Sequence, residues 1–445
     1  MRFLKKILTN NNILSLTGNV IAAGLGFVSF ALLARIFSKE DFGNWILFVT
    51  VYVFIELLRV GFLQTPLIKF CSGVNEKEKE RVIGSAWLFA LLITATFVAL
   101  SFILKHIMLY YIESESAIYF FNYFWILIIV TLPYNFSSWI LQVDMKFNKI
   151  IYIRLISLGV FILLLFVEMY LHRGKEFIVQ SYLLSNLSAS VVCMIAGWAN
   201  LKSIRYADWV RVKSLFNFGK FSMGTMVGAN LLRSSDTFLI GAMMGGEAVA
   251  IFNIPLKLFE LVEIPLRSFA ATALPSFSKL VNNQNIPGLS KRLERTAGMF
   301  SIMLLPVVVF CIVFAEYLVV LLGGEGYAES ANILRIFALH AALMPLDRYS
   351  GMALDVLSRP HQNMLKVIVM VCINSLGVFI VIKSFGMLWP VAIVSIVTFS
   401  AGVILGLFFL RKDIRIVPSG LISEGFKEIK SSVKKLKSKL NFSVD

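Results

Sequence analysis

The sequence predicts an all-α polytopic membrane protein with about twelve transmembrane helices in two six-helix bundles. Of the 445 residues, 58% are apolar and 15% are charged, whereas soluble domains have about 45–50% and about 25%. The mean hydropathy of +0.80 indicates more apolar surface than one core can bury, since cores stop growing near about 250–300 residues. The chain is therefore predicted to lie in a lipid bilayer, and the class of soluble enzymes is excluded.

Twelve apolar stretches are long enough to be spans, because a helix needs about 20 residues to cross a bilayer. Runs of this length predict helices rather than strands. The stretches are residues 12–36, 43–68, 82–104, 118–141, 150–171, 177–200, 217–243, 248–274, 297–322, 328–354, 364–385 and 387–410. An even number of spans places both termini on the same side.

The distribution of Lys and Arg predicts which side that is. The segments that share a side with the termini hold 30 of these residues, and the opposite segments hold 6. Because cytoplasmic loops carry the excess of positive charge, both termini are predicted to be cytoplasmic. The net charge of +16 is thus explained by membrane topology, and a nucleic-acid partner is not expected.

An internal repeat predicts the domain organisation. Ser157–Ile162 and Ser375–Ile380 both read SLGVFI, an offset that matches the fifth span to the eleventh. Two six-helix halves of equal orientation follow, an arrangement found in transporters with a central site. The predicted domains are an N-terminal bundle at 1–201, a cytoplasmic basic linker at 202–216, a C-terminal bundle at 217–411 and a tail at 412–445.

The tail has the pattern of a basic amphipathic helix. Its apolar residues recur at steps of three and four with lysines between them, from Ile422 to Leu440. Such a helix lies in the headgroup plane of an anionic leaflet. A flexible solvated tail is the alternative.

Charged and polar residues inside the spans are the candidate functional residues. An ionisable group at the centre of a span costs at least about 2.5–3.5 kcal/mol, so it normally faces protein or a water-filled path. Steps of three or four residues place these groups on one helical face. They are Asn19 in the first span, Glu56 and Arg59 in the second, Asn230, Arg233 and Asp236 in the seventh, and Lys257, Glu260 and Glu263 in the eighth.

These residues fall into two predicted roles. The polar and basic residues are predicted to bind an anionic substrate, since the planar guanidinium group of arginine can donate two hydrogen bonds to a diphosphate at once. These residues are Asn19, Arg59, Asn230, Arg233 and Lys257. The carboxylates are predicted to couple transport to a proton or sodium gradient, since a desolvated carboxyl can take up a proton; they are Glu56, Asp236, Glu260 and Glu263. The alternative is that the charges form self-neutralising structural pairs.

Catalytic and cofactor motifs are missing from the sequence. The four cysteines are scattered, and neither GxxxxGK[ST], HExxH nor GxSxG occurs. We therefore expect neither an enzyme nor a bound cofactor or metal. A membrane polymerase would need a sizeable outer loop, and the longest predicted one is the short stretch at 105–117.

Four segments carry a family resemblance. Leu32–Trp45 reads LLARIFSKEDFGNW, Glu56–Phe70 reads ELLRVGFLQTPLIKF, Asn230–Asn253 reads NLLRSSDTFLIGAMMGGEAVAIFN, and Glu263–Leu280 reads EIPLRSFAATALPSFSKL. They resemble the Wzx-type polysaccharide or O-antigen flippases of the MOP exporter superfamily, and the similarity covers about residues 12–410. The resemblance implies a MATE-like fold, alternating access between two bundles and basic residues in a central cavity. By position it singles out Arg59, Arg233 and Lys257.

The resemblance also implies the function. The expected substrate is an undecaprenyl-diphosphate-linked oligosaccharide for O-antigen in lipopolysaccharide, for capsule or for a similar polymer, flipped across the bacterial inner membrane. Expected partners are this lipid-linked substrate, membrane lipids, a polysaccharide polymerase and glycosyltransferases. The related lipid II flippases have fourteen helices and arginines in the first helix, whereas this chain has Asn19. The alternatives are a MATE-like drug exporter and a scaffold or polymerase of polysaccharide assembly.

Overall fold

The computed structural model describes residues 11–71, 74–111, 115–414 and 418–441. This part of the chain consists of α-helices joined by short turns and by two 3-10 helices, Leu201–Tyr206 and Glu325–Ser330. The helices are α1 Asn11–Ile36, α2 Lys39–Cys71, α3 Glu76–Tyr111, α4 Glu115–Asn122, α5 Phe124–Val143, α6 Phe147–Leu171, α7 Lys175–Ile195, α8 Trp209–Met244, α9 Gly246–Asn282, α10 Ile286–Val313, α11 Ala315–Gly323, α12 Ala331–Ala341, α13 Met344–Val356, α14 Pro360–Phe385, α15 Trp389–Leu410 and α16 Pro418–Asn441.

The predicted all-α membrane fold is confirmed. Within the described residues, eight helices are long and apolar enough to cross a membrane, and Val20–Ile36 is a shorter apolar helix. Helices α8 and α9 are 36 and 37 residues long but are not among the eight. The exact number of twelve spans and the cytoplasmic position of the termini stay predictions.

Three of the predicted spans consist of two helices each. The stretch at 118–141 is divided at Tyr123 between α4 and α5, and the stretch at 297–322 is divided at Phe314 between α10 and α11. The stretch at 328–354 is divided between α12 and α13, where Pro345 lies in the first turn of α13. Proline is tolerated there because the first N–H groups of a helix have no intrahelical partner.

The chain forms two compact units. The N-terminal unit comprises Met1–Asn230 and Gly245–Ala250, and the C-terminal unit comprises Leu231–Met244 and Ile251–Asp445. Helix α8 thus contributes residues to both units, and it begins at Trp209, within the predicted linker at 202–216. The predicted domain boundaries stay predictions.

Local sequence signals set the helix ends. The Asp208 side chain caps α8 by accepting a hydrogen bond from the Val210 N–H at 2.9 Å, and Asn285 caps α10 through the Gly288 N–H at 2.8 Å. Helix α14 ends at Phe385 and is capped by Gly386, whose φ of 62° is a left-handed conformation that glycine adopts without a Cβ clash.

Aromatic side chains fill the core of the N-terminal unit. Trp45 of α2 packs edge-on against Tyr182 of α7, with ring centroids 5.2 Å apart, and lies 6.2 Å from Phe161 of α6. Phe120 of α4 closes the same cluster at 5.6 Å from Trp45. These four residues are defined here as the aromatic cluster, which joins helices from four parts of the sequence.

The tail helix α16 packs on α10 within the C-terminal unit. A Cβ atom added at Gly298 would lie 1.9 Å from the Leu421 carbonyl oxygen, so the two backbones touch there. Arg295 Nε lies 2.7 Å from Glu424 Oε2, and Arg292 Nη1 lies 2.8 Å from Glu428 Oε1. The predicted tail helix is therefore present, and it is held by protein contacts. Its contact with a membrane surface stays a prediction.

The carboxylate of Glu424 is ionised in this arrangement. Hydrogen bonds from Lys427 and Arg295 lower its pKa from the usual range to about 2. A depressed carboxyl pKa stabilises the folded state above the unfolded pKa, and this contribution is lost only as the pH falls toward 2. The ion pairs of Glu424 with Arg295 and Lys427 are thus retained at physiological pH.

We expect a valine at Gly298 to displace the tail helix, because no side chain fits between the backbones of α10 and α16. Trypsin cleavage after Lys427 and Lys430 should then accelerate about tenfold or more, which corresponds to about 1.4 kcal/mol of lost docking free energy. Gly159→Val on α6 is the matched control, since a Cβ there meets nothing within 4 Å. Equal cleavage rates in both variants would show that the glycine contact does not hold the tail.

Candidate functional site

The ion pair of Glu56 and Arg59 lies in the interior of the N-terminal unit. Arg59 is fully buried, and its Nη2 lies 2.7 Å from Glu56 Oε2. The guanidinium also donates to the Ile128 carbonyl at 3.0 Å and to Thr94 Oγ1 at 3.3 Å. A single turn of helix separates the two residues, and their contact inside the bundle is the self-neutralising pair that the sequence analysis gave as the alternative to a transport role.

A polar cavity lies next to this pair. It has a volume of about 540 Å³ and lies between α1, α2, α5, α6 and α7. Its polar lining comprises Gln64, Tyr134, Asn135, Ser138, Gln142, Arg154, Ser157, Tyr182 and Asn186. Asn135 connects the cavity to the ion pair, since its Nδ2 donates to Glu56 Oε1 at 2.9 Å.

The cavity extends along α5, α6 and α7. Gln142 and Phe147 line it where α5 ends and α6 begins, so it reaches that end of the unit. Tyr182 lines it at the other extreme and belongs to the aromatic cluster. One helical turn beyond Tyr182, Ile178 lines a separate cavity of about 340 Å³. Tyr182 thus contributes both to the aromatic cluster and to the lining of the first cavity.

A buried polar cluster surrounds Asp236 in the C-terminal unit. Asn374 Nδ2 donates to Asp236 Oδ1 and, at 3.1 Å, to Ser235 Oγ. Thr398 Oγ1 donates to Asn374 Oδ1 at 3.2 Å, and all four side chains are buried. An ionisable group held by neutral donors at this depth is typical of ion and proton pathways.

The other predicted carboxylates of the C-terminal unit form ion pairs. Arg233 Nη2 lies 2.5 Å from Glu263 Oε2, and the Arg233 side chain is 46% exposed. Lys257 Nζ lies 2.8 Å from Glu260 Oε2, one helical turn away, and both side chains are partly exposed. Each of the two cations is therefore paired with a carboxylate, and each is partly exposed.

The predicted site residues divide between the two units. Glu56, Arg59 and Asn230 lie in the N-terminal unit, where Asn230 donates to its own helix at the Met226 carbonyl, 2.9 Å away. The remaining five lie in the C-terminal unit; they are Arg233, Asp236, Lys257, Glu260 and Glu263. The side chain of Asn19 lies outside the described residues. The roles assigned to all of these residues stay predictions.

Sequence reasoning missed several residues that the structure brings into these sites. Arg154 was not singled out as a site residue, yet it lies two turns into α6 and lines the cavity. Its three-residue step to Ser157 within the predicted span was the available signal. Lys366, which was also not singled out, is buried in the C-terminal unit, and its Nζ lies 2.8 Å from Asp347 Oδ1. Asn374 and Thr398 are uncharged, so nothing in the sequence marked them as site residues.

Comparison with solved structures defines the class of protein. The fold is similar to that of the lipid II flippase MurJ in an inward closed conformation, with a TM-score of 0.75 at 15% identity over 94% of this chain and 91% of that one. An inward-facing multidrug resistance MATE transporter of the MOP superfamily gives a TM-score of 0.74 at 15% identity over 87% and 94%. This chain is therefore a multi-pass membrane protein with the MOP fold.

Sequence comparison identifies the family. A family model described as polysaccharide biosynthesis protein matches residues 32–332, and the chain belongs to this family. Haloferax volcanii Agl15, a probable low-salt glycan biosynthesis flippase, is 19% identical over 53% of this chain and 50% of that protein. Bacillus subtilis TuaB, a teichuronic acid biosynthesis protein, is 23% identical over 43% and 40%. The matches thus span about half the length of these curated relatives.

Proposed function

We propose that this protein flips a lipid-linked oligosaccharide across the bacterial inner membrane. The observation that carries the proposal is that a chain of the polysaccharide biosynthesis family has the MOP fold. Polysaccharide assembly requires a hydrophilic head group to cross a bilayer, and a polytopic fold with ionisable groups and a polar cavity among its helices provides a path for it. The proposed activity makes and breaks no covalent bond, so it needs no catalytic residue.

The accessible cations of the C-terminal unit support an anionic substrate. In the proposed cycle, the diphosphate of the substrate displaces Glu263 from Arg233 and Glu260 from Lys257, while the lipid chain stays in the bilayer. The guanidinium group of arginine can donate hydrogen bonds to two phosphate oxygens at once, which increases affinity and fixes the orientation of the phosphate. The released carboxylates are then available to protons, which is one route to coupling with a gradient.

We expect Arg233→Ala to lower transport of the substrate by about tenfold or more, since a charge-assisted hydrogen bond contributes about 1.5–3 kcal/mol. Transport is measured as movement of a labelled undecaprenyl-diphosphate-linked disaccharide between leaflets of proteoliposomes. Arg233→Lys keeps the positive charge but cannot make two parallel hydrogen bonds to a phosphate, so its transport rate should be intermediate. Arg205→Ala, an exposed arginine in the first 3-10 helix, is the matched control.

The result of this experiment distinguishes the proposed flippase function from drug export and from a scaffold role. A folded Arg233→Ala variant that transports at the wild-type rate would remove Arg233 from the substrate path. A wild-type protein that moves no lipid-linked saccharide with any head group tested, but exports a small-molecule drug, would replace the proposal with drug export. A protein that moves neither would be a scaffold of the assembly machinery.

A further inference from the structure

Both carboxylates of the tail helix α16 are bonded to α10. Glu424 forms an ion pair with Arg295, and Glu428 forms one with Arg292. The sequence of α16 has these two glutamates and six lysines, so its net charge is six minus two, or +4. Four of the lysines lie within residues 432–441, whose side chains are outside the described residues. Because the arginines of α10 neutralise the carboxylates, the excess charge of the docked helix is that of its lysines.

Another side of α16 exposes apolar side chains. Ile422 is 60% exposed and Phe426 is 59% exposed. Their spacing of four residues places both on one face of the helix, and these two residues are defined here as the apolar pair. Lys427 and Lys430 are exposed as well. Removal of apolar surface from water is favourable, and the described part of the chain does not cover this pair.

Helices α10 and α16 run antiparallel. The carbonyl of Leu421, near the start of α16, contacts α10 at Gly298. Seven residues further along α16, Glu428 contacts Arg292, which lies six residues before Gly298. The chain therefore moves toward the beginning of α10 as it proceeds along α16.

Gly298 lies at the boundary between the polar and the apolar part of α10. Four charged residues precede it within residues 291–295, and the rest of the helix, residues 297–313, has no charged residue. Helix α10 is among the helices long and apolar enough to cross a membrane. The boundary at Gly298 is therefore the level at which α10 enters the bilayer. Since Leu421 and Gly425 both contact Gly298, the apolar pair lies at this level.

The order of side chains along α16 matches the order of layers in a lipid leaflet. The apolar pair comes first, at the level where α10 becomes apolar, and Lys427 and Lys430 follow in the direction that leads out of the bilayer. In a leaflet, acyl chains are likewise followed by head groups, which carry phosphate. Apolar and aromatic side chains next to lysines are typical of protein surfaces that lie at this boundary.

We propose that the apolar pair, together with Lys427 and Lys430, is a surface that binds anionic phospholipid. The pair lies between acyl chains and head groups, and the lysines bind head-group phosphates. Lys427 also bonds Glu424 at 2.7 Å, and an ammonium group has three donors, so it can bind both. By the predicted orientation, the lipid belongs to the cytoplasmic leaflet. The helix thus connects α10 to the leaflet, with one side on each.

Contact with lipid is measured on the full chain in nanodiscs, through a fluorescent NBD label at one cysteine. Cys311 and Cys372, the native cysteines that are not buried, are first replaced by serine. The label is placed by Phe426→Cys, and we expect phospholipid with a nitroxide group to quench it severalfold. Ser431→Cys is the matched control, because Ser431 is exposed on α16 five residues further out and about 140° around the helix. Its label should keep its emission.

The charge of the bound lipid is tested with two quenchers, nitroxide-labelled phosphatidylglycerol and nitroxide-labelled phosphatidylcholine at equal fractions. We expect phosphatidylglycerol to give a quenching slope about fivefold higher at residue 426, the effect of one basic residue near an anionic surface. The ratio should fall to one in about 1 M sodium chloride, where the Debye length is about 3 Å. Lys427→Gln/Lys430→Gln should lower the ratio, whereas Lys383→Gln, at an exposed lysine of α14, should not.

Three results would overturn the proposal. Equal quenching of the labels at residues 426 and 431 would show that the apolar pair does not face lipid. A label at residue 426 that neither lipid nitroxide nor aqueous iodide quenches would show that a partner protein or a second copy covers the pair. Equal quenching by the two lipids at low salt would remove the selectivity for anionic lipid. None of these results bears on the proposed function, which is tested by transport of the substrate.

Discussion

Replacing Arg59 with methionine is expected to destabilise the protein by about 3–5 kcal/mol, the cost of leaving one member of a buried ion pair without its partner. Arg59 is fully buried and neutralises Glu56 at 2.7 Å. Without it, the carboxylate keeps only the hydrogen bond from Asn135 at 2.9 Å. The measurement is the thermal unfolding of the purified protein in detergent, followed by the monodisperse fraction that remains after heating.

A double variant identifies the cause of this loss. Glu56→Gln/Arg59→Met removes both charges and retains an oxygen that can accept from Asn135, so we expect it to recover most of the stability. Lys39→Met is the matched control on the same helix, since the pair of Lys39 with Glu247 at 3.5 Å is partly exposed and contributes less than about 1 kcal/mol. A double variant as unstable as Arg59→Met would show that the charge imbalance is not the cause.

The same double variant tests the predicted substrate-binding role of Arg59. The side chain is enclosed by protein, and its guanidinium donates to Ile128 and Thr94. A stable double variant that still flips lipid-linked saccharide would assign Glu56 and Arg59 to stability alone. A stable double variant that does not flip would support a direct role in a conformation other than this one.

Replacing Asp236 with asparagine is expected to weaken strongly the dependence of transport on an ion gradient. The variant is nearly isosteric, and its side-chain oxygen can still accept the hydrogen bond from Asn374. An amide neither exchanges a proton at neutral pH nor carries a charge for sodium. We therefore expect gradient-driven transport to fall about 5- to 150-fold, the usual range of coupling between sites. Transport down the concentration gradient of the substrate should persist.

The measurement is made in proteoliposomes with one gradient at a time. A pH gradient in sodium-free buffer tests proton coupling, and a sodium gradient at equal pH tests sodium coupling. Glu316→Gln is the matched control, because Glu316 is an exposed carboxylate of the same unit. If Asp236→Asn responds to both gradients as the wild type does, coupling belongs to another predicted carboxylate; these are Glu56, Glu260 and Glu263.

The sequence by itself determined the membrane class, the helices and the family. Apolar runs of about 20 residues predict spans because the backbone must satisfy its own hydrogen bonds in lipid. The sequence also allows two ion pairs to be inferred, those of Glu56 with Arg59 and of Lys257 with Glu260. A spacing of three residues along a helix brings two side chains together. In each case the information is local and does not depend on how helices pack.

Only the tertiary structure decided which side chains from distant helices meet. Asn374 is 138 residues from Asp236, and its contact depends on the face that α14 presents to α8. Arg154 lies near the start of the predicted span at 150–171, and the packing of α6 against α1, α5 and α7 directs its side chain to the cavity. Packing of apolar surfaces sets these rotations, and many sequences with the same spans would set them differently.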